Sequence, residues 1–208
     1  LPGVRGADAA PLLHQRTGGN PLFALETLKL AWAEGALQAG TALSSAGLPR
    51  PQSLAQLISQ QLGRLSAPAL QLARVAAVAG VDFGISLAET LLGKSALDLA
   101  DAWGQLEAQH VLRGEAFSHD LIHDAVLQGL PVPIARHLHG QTAAWLEQAG
   151  GEPARVAAHW EAAGQRARAL PALRSAAEAA RRALRENERI ALLLHAADIA
   201  EADGMQQQ

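Results

Sequence analysis

The stretch His119-Asp120-Leu121-Ile122-His123 holds the residue types in this chain best suited to chemistry. Two histidines four residues apart share one face of a helix, and the pattern mimics an HExxH zinc helix with Asp120 in place of Glu. Aspartate is a shorter base than glutamate, and His137 and His139 are the only further ligands in view. A metal-dependent hydrolase is therefore one reading. A plainer one makes His119 a helix cap. Far upstream, Gly19-Asn20-Pro21 can start a helix, because Asn20 can cap exposed amides and Pro21 suits the first helical position. No GxxxxGK[ST] loop is present to cradle phosphates, and no apolar run ends in a metal-holding Asp. The chain alone is not expected to hydrolyse ATP.

The elements that must position these residues are legible from periodicity and punctuation. Leu22, Leu25, Leu28 and Trp32 recur at helical spacing, and a Gly-, Ala- and Ser-rich loop follows from Gly35 to Pro51. Ser53–Leu65 is amphipathic through Leu54, Leu57, Ile58, Leu62 and Leu65. Leu70–Ala79 and Ser86–Leu92 read as helices stopped by Gly80 and Gly93. Ser95–His110 follows, with Leu97, Leu99, Trp103 and Leu106 available to a core. Val111–Arg113 and Ala116–Ser118 flank Gly114-Glu115 and predict a hairpin, with a helix from His119 onward. Three helices and a hairpin form the layout of a winged helix. From Ile134 the chain predicts helices over 134–148, 153–163, 167–184 and 187–203, punctuated by Gly150-Gly151, Gly164 and Asn187, as in the helical hairpins of a solenoid.

Composition agrees. Hydrophobic residues make up 49% and aromatics only 3%, with Ala and Leu dominant, which favours a mainly α fold. Cysteine is absent, which excludes disulfides and cysteine metal sites and is compatible with a cytoplasmic setting. No apolar run is long enough to span a bilayer, and no signal peptide is visible. The chain starts with Leu rather than Met, so it is expected to be a piece of a longer protein. The net charge of −3 falls on residues 1–130, and residues 131–208 balance. A winged helix invites a DNA-binding reading, but Ser95–His110 carries Asp98, Asp101 and Glu107 and no Lys or Arg. Phosphate contacts need cations, so no direct nucleic-acid binding is expected. Arg181, Arg185 and Arg189 form a stripe beside the ladder Arg174-Glu178-Arg182-Glu186. It reads as a solvated face, or as a docking surface for an acidic partner.

Three stretches resemble the STAND class of signalling ATPases, particularly large LuxR-type regulators and relatives fused to cyclases or kinases. HQRTGGNPLFALETL, residues 14–28, is similar to the GxP segment at the start of the family's lid helix. FSHDLIHDAVLQGLP, residues 117–131, with ARHLHGQTAAWLE, residues 135–147, is similar to the family's winged-helix run, departing from it at His123 and Leu127. AAHWEAAGQRARALPALRSAAEAA, residues 157–180, looks like the helical arm that follows. The resemblance implies a helical lid over residues 1–65, a winged helix over 66–130, and the start of a tetratricopeptide-like arm over 131–208. It implies ATP or ADP as the cofactor, with Mg in the parent, and an upstream P-loop ATPase core as partner. An inducer or protein would act on the arm. Pro21 would pack on the adenine, and His119, paired with Asp120, would reach the β-phosphate of ADP. A histidine beside the exposed amides of a helix N-terminus suits a phosphate. The alternative is a helical interaction scaffold with no nucleotide role.

Overall fold

A computed structural model describes residues 54–206 and, ahead of them, Ala24, Leu25, Leu28, Lys29 and Trp32, all helical. Asn20 and Pro21 lie outside the described residues, as does the expected loop up to Pro51. The protein is mainly α and divides into two units, Leu1–Arg64 and Leu65–Gln208. In the first, α1 (Leu54–Gly63) is described, and its Ile58 is buried.

The second unit opens with α2 (Ala67–Ala79). Ser66 caps it by accepting the Ala69 N–H, and Pro68 sits in the first turn, where a missing N–H costs nothing. Its buried residues are mostly alanine, interspersed with Leu72, Val75 and Val78. That small-residue surface lets α2 serve as the hub against which four later helices pack. A 3-10 turn, Gly80–Asp82, leads into α3 (Ile85–Leu92), which left-handed Gly93 ends.

Helix α4 (Ala96–Ala108) begins at a capping box. Ser95 accepts the Asp98 N–H, and the Asp98 carboxylate accepts from the Ser95 hydroxyl and N–H. The Ser95 hydroxyl and amide hold the Asp98 carboxyl below its usual range. Leu99, Ala102 and Leu106 are buried, and Trp103 stacks on Phe83 with ring centroids 5.2 Å apart. Leu97, expected in the core, is instead 87% exposed. It lies two residues from Leu99, about 200° around the helix, so both cannot face α2.

The hairpin follows as expected. β1 (Leu112–Arg113) pairs antiparallel with β2 (Ala116–Phe117), Leu112 opposite Phe117 and Arg113 opposite Ala116. It forms the only sheet among the described residues. Gly114 opens the two-residue turn at φ +62°, a conformation that strains any side chain. The hairpin is seated on α4 by a left-handed His110, whose carbonyl accepts the Ser118 hydroxyl, and by the Ser118 N–H on the Val111 carbonyl. Next comes α5 (Asp120–Gln128), so the order of three helices, hairpin and helix is the one expected from the sequence.

Four helices complete the unit: α6 (Val132–Ala149), α7 (Pro153–Ala162), α8 (Arg166–Arg182) and α9 (Glu186–Gln206). Short turns make each pack along the next. At the first turn Gly150 is left-handed, and the Gly151 N–H donates to the Leu146 carbonyl at 2.7 Å. A Cβ on Gly151 would lie 2.9 Å from Leu146 Cδ2, so the two glycines are needed for different reasons. The break between α8 and α9 falls at left-handed Leu184, not at Asn187, which is inside α9. Trp160, 1% exposed, centres the arm's core among Ala143, Leu146, Leu173 and Ile199. Its indole N–H donates to Glu147 at 2.7 Å, and the Arg168 guanidinium lies 3.5 Å from the ring centroid. Helix α6 also packs on α2 and α3, which ties the last four helices to those around the hairpin.

Candidate functional site

His119 is placed by the hairpin and the helix it joins. Ser118 is bonded back to the start of the hairpin, so His119 continues in extended conformation (φ −158°, ψ 140°) before α5 turns helical. Its Nδ1 accepts the Leu121 N–H at 3.2 Å, which makes His119 the N-cap of α5. An accepting Nδ1 leaves the proton on Nε2. The ring is exposed, and Nε2 has no partner among the described residues. Asp120, also exposed, occupies the first turn, where a carboxylate suits the helix dipole.

His123 has a different task. It is half-buried, and its Nε2 lies 3.0 Å from the Ala77 carbonyl. That carbonyl is among the last four of α2, which lack partners within the helix. Phe117 meets the His123 ring edge-on at 5.2 Å. His123 therefore fastens α5 to α2, while His119 serves the start of α5. The zinc-helix pattern thus resolves into two histidines with separate backbone partners. Among the described residues no group of three or more His, Asp or Glu side chains could hold a metal ion.

The acidic residues of α4 are partly structural. Asp98 closes its capping box, and Glu107 accepts the Gly114 N–H of the hairpin turn at 3.3 Å. The arginine stripe is paired with nearby glutamates: Arg181 with Glu178, Arg189 with Glu186 and Arg185 with Glu188, each three residues apart. That is a solvated face laced by weak ion pairs.

A polar cluster that sequence reasoning missed lies where α6 and α7 meet the turn after α2. Asp82, at the end of the 3-10 turn, is only 5% exposed; its Oδ1 lies 2.6 Å from Arg155 Nη1 and its Oδ2 3.7 Å from His159 Nε2, both on α7. His159 Nδ1 in turn lies 2.9 Å from Nδ1 of His139 on α6. Burial, and secondarily the neighbouring His159 charge, pushes His139 down to about 4. Burial also lowers His159, against the pull of Asp82, which raises it. His139 had entered the sequence reading only as a spare metal ligand. No local spacing links it to Asp82.

No helix among the described residues is long and apolar enough to cross a membrane. The chain matches no known protein family, no curated protein and no solved structure.

Proposed function

We propose that this chain is the regulatory part of an ATP/ADP-switched signalling ATPase of the STAND type. In this reading the winged helix contacts bound ADP, and the helical arm relays its presence to a partner or inducer. The observation that carries it is His119. The side chain is exposed at the start of α5, directly behind the hairpin, with Nδ1 committed to the helix and the Nε2–H available as a donor. An Nε2–H can donate to a phosphate oxygen without giving up the cap. Pro21 and Asn20 would serve the adenine side, and an upstream P-loop core would supply Mg and the remaining phosphate contacts. Such a contact biases a two-state switch only as far as it favours the closed state.

The test uses the full-length protein and two substitutions. His119→Ala removes both the cap and the donor. His119→Asn keeps an N-cap acceptor but withdraws the long-reaching donor. ADP affinity should fall about tenfold in both, roughly 1.4 kcal/mol, while stability falls by about 1 kcal/mol only in His119→Ala. Unchanged ADP affinity in both variants would show that His119 is a cap and nothing more. A second reading, a helical interaction scaffold, is favoured by the exposed Ile190, Leu193 and Leu194 on α9. It predicts a chain indifferent to nucleotide even when joined to its core.

A further inference from the structure

The Asp82–His159–His139 cluster has a proton inventory that its geometry restricts. Two Nδ1 atoms 2.9 Å apart can hold one proton between them: one ring donates and the other accepts. The Asp82 carboxylate faces His159 Nε2, which draws a proton to that nitrogen. His159 Nδ1 is then the acceptor and His139 Nδ1–H the donor, an assignment made from the network. The three side chains come from three elements: the turn after α2, α6 and α7. The charged groups that act on the two rings are Asp82 and Arg155, with Glu152 behind Arg155 at 3.1 Å.

We propose that this cluster is an acid-released latch between helices α2–α5 and helices α6–α9, closed while at most one of the two rings is charged and opened when both are. A first added proton is accommodated, because the charged ring still donates its Nδ1–H to the bare Nδ1 of the other; with both rings charged, two N–H groups would point at each other across 2.9 Å. The second positive charge would also sit near Arg155, on rings only partly open to water. The proposal stands apart from the nucleotide reading, because none of its residues touches His119.

The sign follows from His139, whose folded-state value of about 4 lies below the ordinary 6.5. The latch is at full strength above about pH 6.5 and weakens as pH falls toward 4. Between pH 7.5 and 5 the full shift would favour the open form about 30-fold. Allowing for solvent screening at a half-buried ring reduces this to about 10-fold.

The absence of cysteine makes the test direct. Cysteines placed at exposed Leu97 on α4 and exposed Leu194 on α9 carry a donor–acceptor dye pair in the full chain. Energy transfer should change reversibly between pH 6.5 and 4.5 while the far-ultraviolet helix signal persists. His139→Gln keeps an amide donor for His159 but cannot take a proton, and it should abolish or lower the transition. His137→Gln, at an exposed histidine on the same helix, should leave it in place. An identical transition in His139→Gln, or transfer that stays constant until the helices melt, would overturn the proposal. Imidazole titration by NMR needs no folded variant. His139 should remain neutral down to about pH 5, and titration near 6.5 would equally overturn the latch.

Discussion

Replacing Asp82 with Asn probes what holds the turn after α2 to the arm. The carboxylate is 5% exposed and contacts Arg155 at 2.6 Å and His159 at 3.7 Å. Removing one partner of a fully buried ion pair costs about 3–5 kcal/mol, because the other charge is left stranded. Arg155 is not stranded. Its side chain is 40% exposed, and its Nε lies 3.1 Å from Glu152, near enough for charge attraction though not aligned as a hydrogen bond. A wholly exposed pair would contribute only about 0–1 kcal/mol. The mixed geometry places Asp82→Asn between the limits, at about 1–2 kcal/mol near neutral pH. At about 2–4 °C per kcal/mol for a unit of this size, Tm should fall by about 2–8 °C. Thermal and urea unfolding followed by circular dichroism measure this, and His159 should titrate lower still once the group that raises it is gone. A loss above about 4 kcal/mol would mean that Arg155 finds no water. A loss below about 0.5 kcal/mol would mean that the contact holds nothing. Either result would refute the reasoning.

Two further outcomes follow from the arm. Trp160→Ala removes a 1%-exposed indole from the core and should cost about 3–5 kcal/mol, measured by chemical denaturation. A loss under about 1 kcal/mol would mean that the core around Trp160 does not hold the arm together. Leu184 is 91% exposed and left-handed at φ 58°, with the Arg185 N–H closing the helix end on the Ala180 carbonyl at 2.9 Å. Leu184→Gly should raise stability by up to about 1 kcal/mol, because glycine adopts that conformation without strain. A lower Tm in Leu184→Gly would contradict this account of the turn.

The elements were legible because their signals are local. Ser95 and His119 stand directly ahead of helices, where caps must stand, and Gly80, Gly93, Gly150 and Gly164 mark helix ends, while the helix expected from Leu70 starts earlier, at Ala67 behind its Ser66 cap. Gly114-Glu115 between two short extended runs was enough for the hairpin, since the turn's demand on φ is met by its own residues. Boundaries such as 153–162 and 166–182 differ from expectation by only a residue or two, because each helix is punctuated at both ends. Leu184 escaped notice because a leucine carries no sign that it will turn left-handed. Leu97 was misjudged for a related reason: hydrophobicity marks a residue as able to enter a core, and only the packed neighbour decides which face is covered.

The polar contacts divide the same way. That His119 caps α5 could be read from its position ahead of a periodic run, because a cap is made with an amide two residues on. His123 on the Ala77 carbonyl spans 46 residues, and no pattern within α5 announces it. The meeting of Asp82, His139 and His159 belongs wholly to tertiary structure. The sequence by itself determined that these residues lie on a turn and two helices. Docking α6 on α2, and α7 on the turn that follows α2, then withdrew both imidazoles partly from water and brought them to 2.9 Å, and with that their proton affinities ceased to be properties of the residues alone.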